Sequence, residues 1–136
     1  MSAPVIILGT GVDIVETARI QASMAKFGDR FLQRCFWPAE VAYCQSMKFP
    51  ALHFAARFAA KEAISKAFGT GIGRQLGWKD MEIRKRDSGE PFVVLHGKGQ
   101  ELAQRRGVTT VLVSLSHCQA YGVAQAMVIS DFKSEI

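Results

Sequence analysis

Residues Phe54 to Gly73, FAARFAAKEAISKAFGTGIG, constrain the fold more than any other stretch of this chain. At 100° per residue the spacing predicts a helix over Phe54–Phe68, on which Ala56, Ala59, Ala60, Ala63, Ala67 and Ile64 fill one arc. No Pro or Gly interrupts the run, and alanine is the best helix former. An arc of alanines lets a helix backbone approach a sheet closely, so a sheet is the expected partner. The opposite half carries Arg57, Lys61, Glu62, Ser65 and Lys66 among Phe54, Phe58 and Phe68. One carboxylate, Glu62, thus sits on a mostly apolar helix with cations within one turn, which marks a candidate site. The plain structural alternative is a surface Glu62–Lys66 pair at i, i+4, worth only about 0.2–0.5 kcal/mol. Gly69 is a natural C-terminal stop, and Gly71 and Gly73 keep the next loop open. These glycines follow the helix, at its negative end. A phosphate-cradling nucleotide loop would open one.

Around this helix the pattern is mixed. Val5–Leu8 and Val12–Glu16 read as one strand, bulged at Gly9 and Gly11. Asp13 lies within it, flanked by Val12 and Ile14; the alternatives there are a helix cap or turn ligand and a functional carboxylate. Thr17–Phe36 reads as a helix with Gly28 as its weak point, and Arg19, Lys26, Arg30 and Arg34 oppose a single acid, Asp29. Such a face is either simply solvated or meets an acidic partner. Pro38 opens a short helix through Met47, and Pro50 punctuates the chain before the central helix. After Gly73 the period turns to two. Met81–Asp87 and Phe92–His96 flank the turn Ser88-Gly89-Glu90-Pro91, and Lys98–Arg106 is a helix closed by Gly107. Thr109–Ser116 and Gly122–Ile129 form a second hairpin around Cys118–Tyr121, and residues 131–136 read as a frayed tail. Helices early and antiparallel hairpins late predict an α+β fold, an antiparallel sheet packed on the long central helix.

At 136 residues this is one expected domain, 1–136. No run of 18 apolar residues crosses a membrane, and Met1–Pro4 carries no secretory pattern. Cys35, Cys44 and Cys118 show neither paired spacing nor an even count, which predicts a reducing, cytoplasmic setting. His53, His96 and His117 are scattered, so a zinc site has little support. The net charge of +5 suits an acidic partner. Nucleic acid is a poor candidate, because neither aromatic–basic interleaving nor a helix-turn-helix pattern is present.

GVDIVE with Asp13, the KEAISKAFGTG segment with Glu62, SGEP at 88–91 and SLSH at 114–117 occur together in that order. The combination resembles the short, single-domain 4′-phosphopantetheinyl transferases, over about residues 7–130. The resemblance implies that fold, and transfer of the 4′-phosphopantetheine arm of coenzyme A to a serine of an apo acyl carrier protein, in support of fatty acid biosynthesis. It implies Mg²⁺ held by Asp13 and Glu62, with Lys66 completing the catalytic set. Lys61 and Lys66 match basic positions near the phosphates, Arg57 assists there, and Ser65 joins the coenzyme site. Gly69, Gly71 and Gly73 would line the nucleotide side, with Pro91 and His117 near the adenosine 3′-phosphate. It further implies a homotrimer with sites between subunits, and docking of the acidic carrier on Arg19, Lys26 and Arg30. Trp37-Pro38 departs from the family, which carries small polar residues there. A catalytically silent relative and an unrelated basic binding module are the two competing classes.

Overall fold

The computed structural model describes residues 4–131. At its centre is the predicted helix, α4, which spans Pro50–Ala67. It begins four residues earlier than the periodicity suggested, because Pro50 does not precede the helix but occupies its first turn, where a missing N–H leaves nothing unpaired. It ends as the sequence predicts. Gly69 takes φ 79°, the Gly69 N–H donates to the Lys66 carbonyl at 2.9 Å, and the Thr70 N–H donates to the Ser65 carbonyl at 3.1 Å. These two bonds are the paired closure that a left-handed glycine permits.

α4 lies on a three-stranded antiparallel sheet formed by β1 (Val5–Glu16), β5 (Tyr121–Asp131) and β4 (Thr110–His117), in the order β1-β5-β4. The register shifts between Ile7 and Gly9, so the bulge falls at Leu8 beside Gly9, whereas Gly11 pairs in regular register with Ala126. Opposite residues share a face, so the pairs Gly11↔Ala126, Asp13↔Ala124 and Val15↔Gly122 lie on the helix side. The approach there is backbone to backbone. A Cβ on Gly11 would stand 1.9 Å from the Ala63 carbonyl oxygen, one on Gly9 2.0 Å from that of Ala67, and one on Gly122 2.6 Å from Ala55 and Ala56 backbone. The alanine arc is thus matched by glycines on the strands. Gly11→Ala is therefore expected to destabilise by roughly 1–3 kcal/mol through overpacking. Thermal melts check this; an unchanged melting temperature would mean that the helix can lift off the sheet freely.

The first long helix is two helices. α1 (Thr17–Phe27) stops at Gly28, which adopts φ 58°, ψ −134°, and α2 (Asp29–Cys35) restarts in a new direction. The expected single helix to Phe36 underrated that glycine, whose conformation no side-chain-bearing residue adopts cheaply. α3 (Pro38–Gln45) opens on Pro38 as expected but stops two residues short of Met47. Trp37, ahead of it, packs its ring on His96 at 4.2 Å and donates Nε1–H to the Lys79 carbonyl at 3.0 Å. The departure at Trp37-Pro38 is thus a packing anchor between α3 and the second sheet. That sheet is the hairpin β2 (Met81–Lys85) and β3 (Pro91–Leu95), followed by α5 (Lys98–Arg106) with Gly107 at φ 68°. β3 starts at Pro91, paired with Lys85 at the end of the ladder. Asp131, expected in the tail, belongs to β5 and lies opposite Val5; residues 132–136 lie outside the described residues.

Candidate active site

The inward register of β1 and the close contact at Gly11 aim Asp13 at α4. There Lys66 donates from Nζ to Asp13 Oδ1 at 2.9 Å and to the Val12 carbonyl at 3.1 Å. Lys66 therefore reaches the strand and does not pair with Glu62, and Asp13 caps nothing: α1 begins after Glu16 with no side-chain cap. Glu62, half-buried one turn before Lys66, has its carboxyl raised above the usual range by burial and by the Asp13 charge; Lys66 and Arg19 oppose the rise. Two mutually repelling carboxylates beside two cations make a site for a cation and a phosphate together.

Among the described residues no third His, Cys, Asp or Glu joins them. The donor set is two hard oxygens, which fits Mg²⁺, an ion that keeps waters and accepts phosphate oxygens in preference to a full protein cage.

A second cluster forms on another flank of α4. Arg57 is 7% exposed, stacks at 4.2 Å over the Tyr43 ring, and its Nε has no partner. It borders a cleft of about 250 Å³ whose walls include His53, Lys85, Pro91 and His117. No carboxylate lines this cleft, so its preference is for anions. Pro91 and His117, expected near one another, line one cleft, and Arg57, expected among the phosphate-binding residues beside Lys61 and Lys66, lines it with them. His53, Tyr43 and Lys85 were missed. The signal for His53 was its i, i+4 spacing to Arg57 on one helix face.

Two expectations need correction. Lys61 reaches no open site: it is fully buried, and its Nζ donates to Glu40 Oε1 at 2.8 Å and to the carbonyls of Cys35 at 2.6 Å and Trp78 at 3.3 Å. Glu40 in turn accepts from the Trp37 N–H at 2.8 Å and the Ile83 N–H at 3.1 Å, so the ion pair is fully bonded within the core. Ser65 is also buried, and its hydroxyl donates to the Glu62 carbonyl at 2.7 Å within its own helix. Gly69, Gly71 and Gly73 line no part of the Arg57–His117 cleft; their N–H groups donate to Lys66, Ser65 and Leu76 carbonyls. These bonds close the helix and the turn that follows it.

The two clusters do not meet within one chain. Arg57 and Glu62 are five residues apart, roughly 140° around the helix, and the anion cleft is not lined by Asp13, Glu62 or Lys66. The basic residues are likewise divided, exposed Arg19 and Lys26 on α1 and exposed Arg30 and Arg34 on α2, across the Gly28 break.

Residues 9–126 match the profile of the 4′-phosphopantetheinyl transferase superfamily. Over 128 residues the chain is 48% identical to a holo-[acyl-carrier-protein] synthase of Moorella thermoacetica, covering 94% of this chain and 98% of that one. The fold is similar to the crystal structure of holo-[acyl-carrier-protein] synthase from Neisseria meningitidis, with a TM-score of 0.84, 31% identity, and coverage of 90% and 98%. It is also similar to the Helicobacter pylori enzyme in complex with coenzyme A, with a TM-score of 0.79, 32% identity, and coverage of 88% and 98%.

Proposed function

Because the chain belongs to the 4′-phosphopantetheinyl transferase superfamily, we infer that it transfers the 4′-phosphopantetheine arm of coenzyme A to a serine of apo acyl carrier protein. The products are holo carrier protein and adenosine 3′,5′-bisphosphate. The observation that carries this reading is the Asp13–Glu62 carboxylate pair with Lys66 at 2.9 Å from Asp13, in a chain that matches the family from end to end of its fold. The serine oxygen attacks the β-phosphorus, and the bond to the departing adenosine phosphate breaks as the new phosphodiester forms. Asp13 and Glu62 would hold Mg²⁺, which supplies charge neutralisation on the pyrophosphate when bound. Lys66, half-exposed, is free to exchange Asp13 for a phosphate oxygen. Arg57, Pro91 and His117 would hold the adenosine 3′-phosphate end. The protein's part is positioning and electrostatics, as in other phosphoryl transfers. Incubation of apo carrier with coenzyme A and Mg²⁺, read by mass spectrometry, tests the reaction: the carrier should gain one phosphopantetheine arm. A carrier that stays unmodified would overturn it.

Two features support a homotrimer with sites between subunits. The outward face of the sheet carries no charge along Thr10–Ile14, Val123–Ile129 or Thr110–Ser116, and Val12 and Ile14 are 61% and 62% exposed. An uncharged sheet face with Val12, Ile14 and Leu112 exposed together suits association. The split between the carboxylate cluster and the anion cleft supplies the second argument, since one ligand spanning both needs two chains. Mixing Glu62→Ala chains with Arg57→Ala chains, each inactive alone, is therefore expected to recover activity after subunit exchange. No recovery would mean that each chain builds its whole site alone. Exposed Arg19, Lys26 and Arg30 supply the basic surface for an acidic carrier, and the three unbridged cysteines suit the cytoplasm. One transferase domain spans the chain, in the service of fatty acid synthesis.

A further inference from the structure

The anion cleft holds an imidazole pair that the carboxylate chemistry does not use. His53, on α4, lies with its ring 4.8 Å from the His117 ring of β4 at 63°, and 5.9 Å from the Tyr43 ring of α3. Arg57 faces it from α4, and Lys85 and Arg84 from β2. Lys85 donates to the Tyr43 hydroxyl at 3.0 Å, and Arg84 is turned to Glu82 at 3.0 Å. Every ionisable group on the cleft wall is a base or a phenol.

We propose that His53 is a specificity-determining residue of this cleft: a dianionic phosphomonoester is recognised there together with a proton taken up by the His53 imidazole. The inference rests on the reading that this cleft takes the phosphomonoester end of coenzyme A. Burial first, and then the charges of His117, Arg57 and Lys85, hold His53 below its ordinary value, so the free cleft leaves it neutral above pH 7. A dianion seated in the cleft against the edges of both rings supplies the missing counter-charge and reverses the preference. The proton comes from solvent, imidazole becomes imidazolium, and no bond of the ligand changes. A phosphomonoester has its second ionisation near pH 6, so above pH 7 any further pH dependence belongs to the protein. Affinity then falls as pH rises, because the proton that must accompany the ligand becomes scarcer. A ligand without the phosphomonoester has no means of drawing that proton in.

The test is calorimetric titration of the full chain with coenzyme A and with 3′-dephospho-coenzyme A, in two buffers of different ionisation enthalpy, from pH 7 to 8.5. Wild type should take up close to one proton with coenzyme A and almost none with the dephospho form. Its dissociation constant for coenzyme A should rise by about tenfold per pH unit, roughly 30-fold across that range. His53→Phe, which keeps the ring contacts, and His53→Gln, which keeps a polar group, should both lose the proton uptake and flatten the profile. Undiminished uptake in both variants would overturn the proposal, since the proton would then reside elsewhere. Arg57→Ala and His117→Ala separate the two levels. If either weakens coenzyme A while the His53 variants keep the wild-type profile, only the role of His53 fails. If neither changes coenzyme A binding, the cleft is not the coenzyme site and both readings fail.

Discussion

Asp13→Ala and Glu62→Ala are each expected to slow phosphopantetheine transfer by on the order of 10²–10³-fold or more at saturating Mg²⁺, since each removes a charge-stabilising group at the reacting pyrophosphate. Neither should unfold the protein. Asp13→Ala loses only an ion pair whose lysine is half-exposed, and pairs of that kind contribute little. Glu62 is the more informative position because its folded environment opposes ionisation, through burial and through Asp13. A carboxyl whose folded value lies above the ordinary 4.5 stabilises the fold below that pH, in its protonated form. It loses that contribution as pH rises through the raised value. Glu62→Gln, which cannot ionise, should therefore melt higher than wild type at pH 8, with the difference shrinking toward pH 4. Transfer assays and melts on the same samples check both halves. Activity within a few-fold of wild type in either alanine variant would sink the assignment of the carboxylates.

Lys61→Ala should produce the largest stability loss of any single change on α4. It strips the buried Glu40 carboxylate of its counter-charge and leaves the Cys35 and Trp78 carbonyls without their donor. Breaking a buried pair from one side costs about 3–5 kcal/mol, and in a domain of this size the melting temperature should fall by roughly 10–20 °C. Lys61→Met combined with Glu40→Gln removes both charges while keeping an acceptor for the Trp37 and Ile83 N–H groups. It should regain most of the loss. The pair ties the end of α2, the start of α3, α4 and β2 together, so its removal loosens the frame behind Glu62, the next residue. A Lys61→Ala variant that melts like wild type but binds coenzyme A poorly would return Lys61 to the ligand and refute the structural role.

Much of the fold was legible because local patterns carry it. The Ala56–Ala67 arc demanded a close partner, and Gly9 and Gly11 of GTGVD, with Gly122 on β5, supplied strand surfaces that a helix backbone can touch. That Asp13 reaches Lys66 and acts on Glu62 is seen only once strand and helix are packed together. Gly107 closed α5 where expected, since a positive φ is a local property, whereas the turn around SGEP came early: β2 ends at Lys85, two residues before Asp87, and Pro91 already pairs with Lys85 as the first residue of β3. The Gly28 break was underrated for the converse reason: a glycine permits a left-handed turn without requiring one, and the packing of Phe31 on Phe36 and Phe58 selects it. Only the tertiary structure decided which polar residues of α4 meet solvent. Lys61 and Ser65 shared the polar half of the helix with Glu62 and Lys66, yet the first pair is buried, Lys61 against Cys35 of α2 and Glu40 of α3, while the second stays half-buried or open. Glu40 stands 21 residues from Lys61, and His53 meets His117 across 64, so no periodicity could have joined them. Helical spacing states the direction in which a side chain leaves the helix; whether water, a ligand or another buried charge receives it depends on what the rest of the chain packs there.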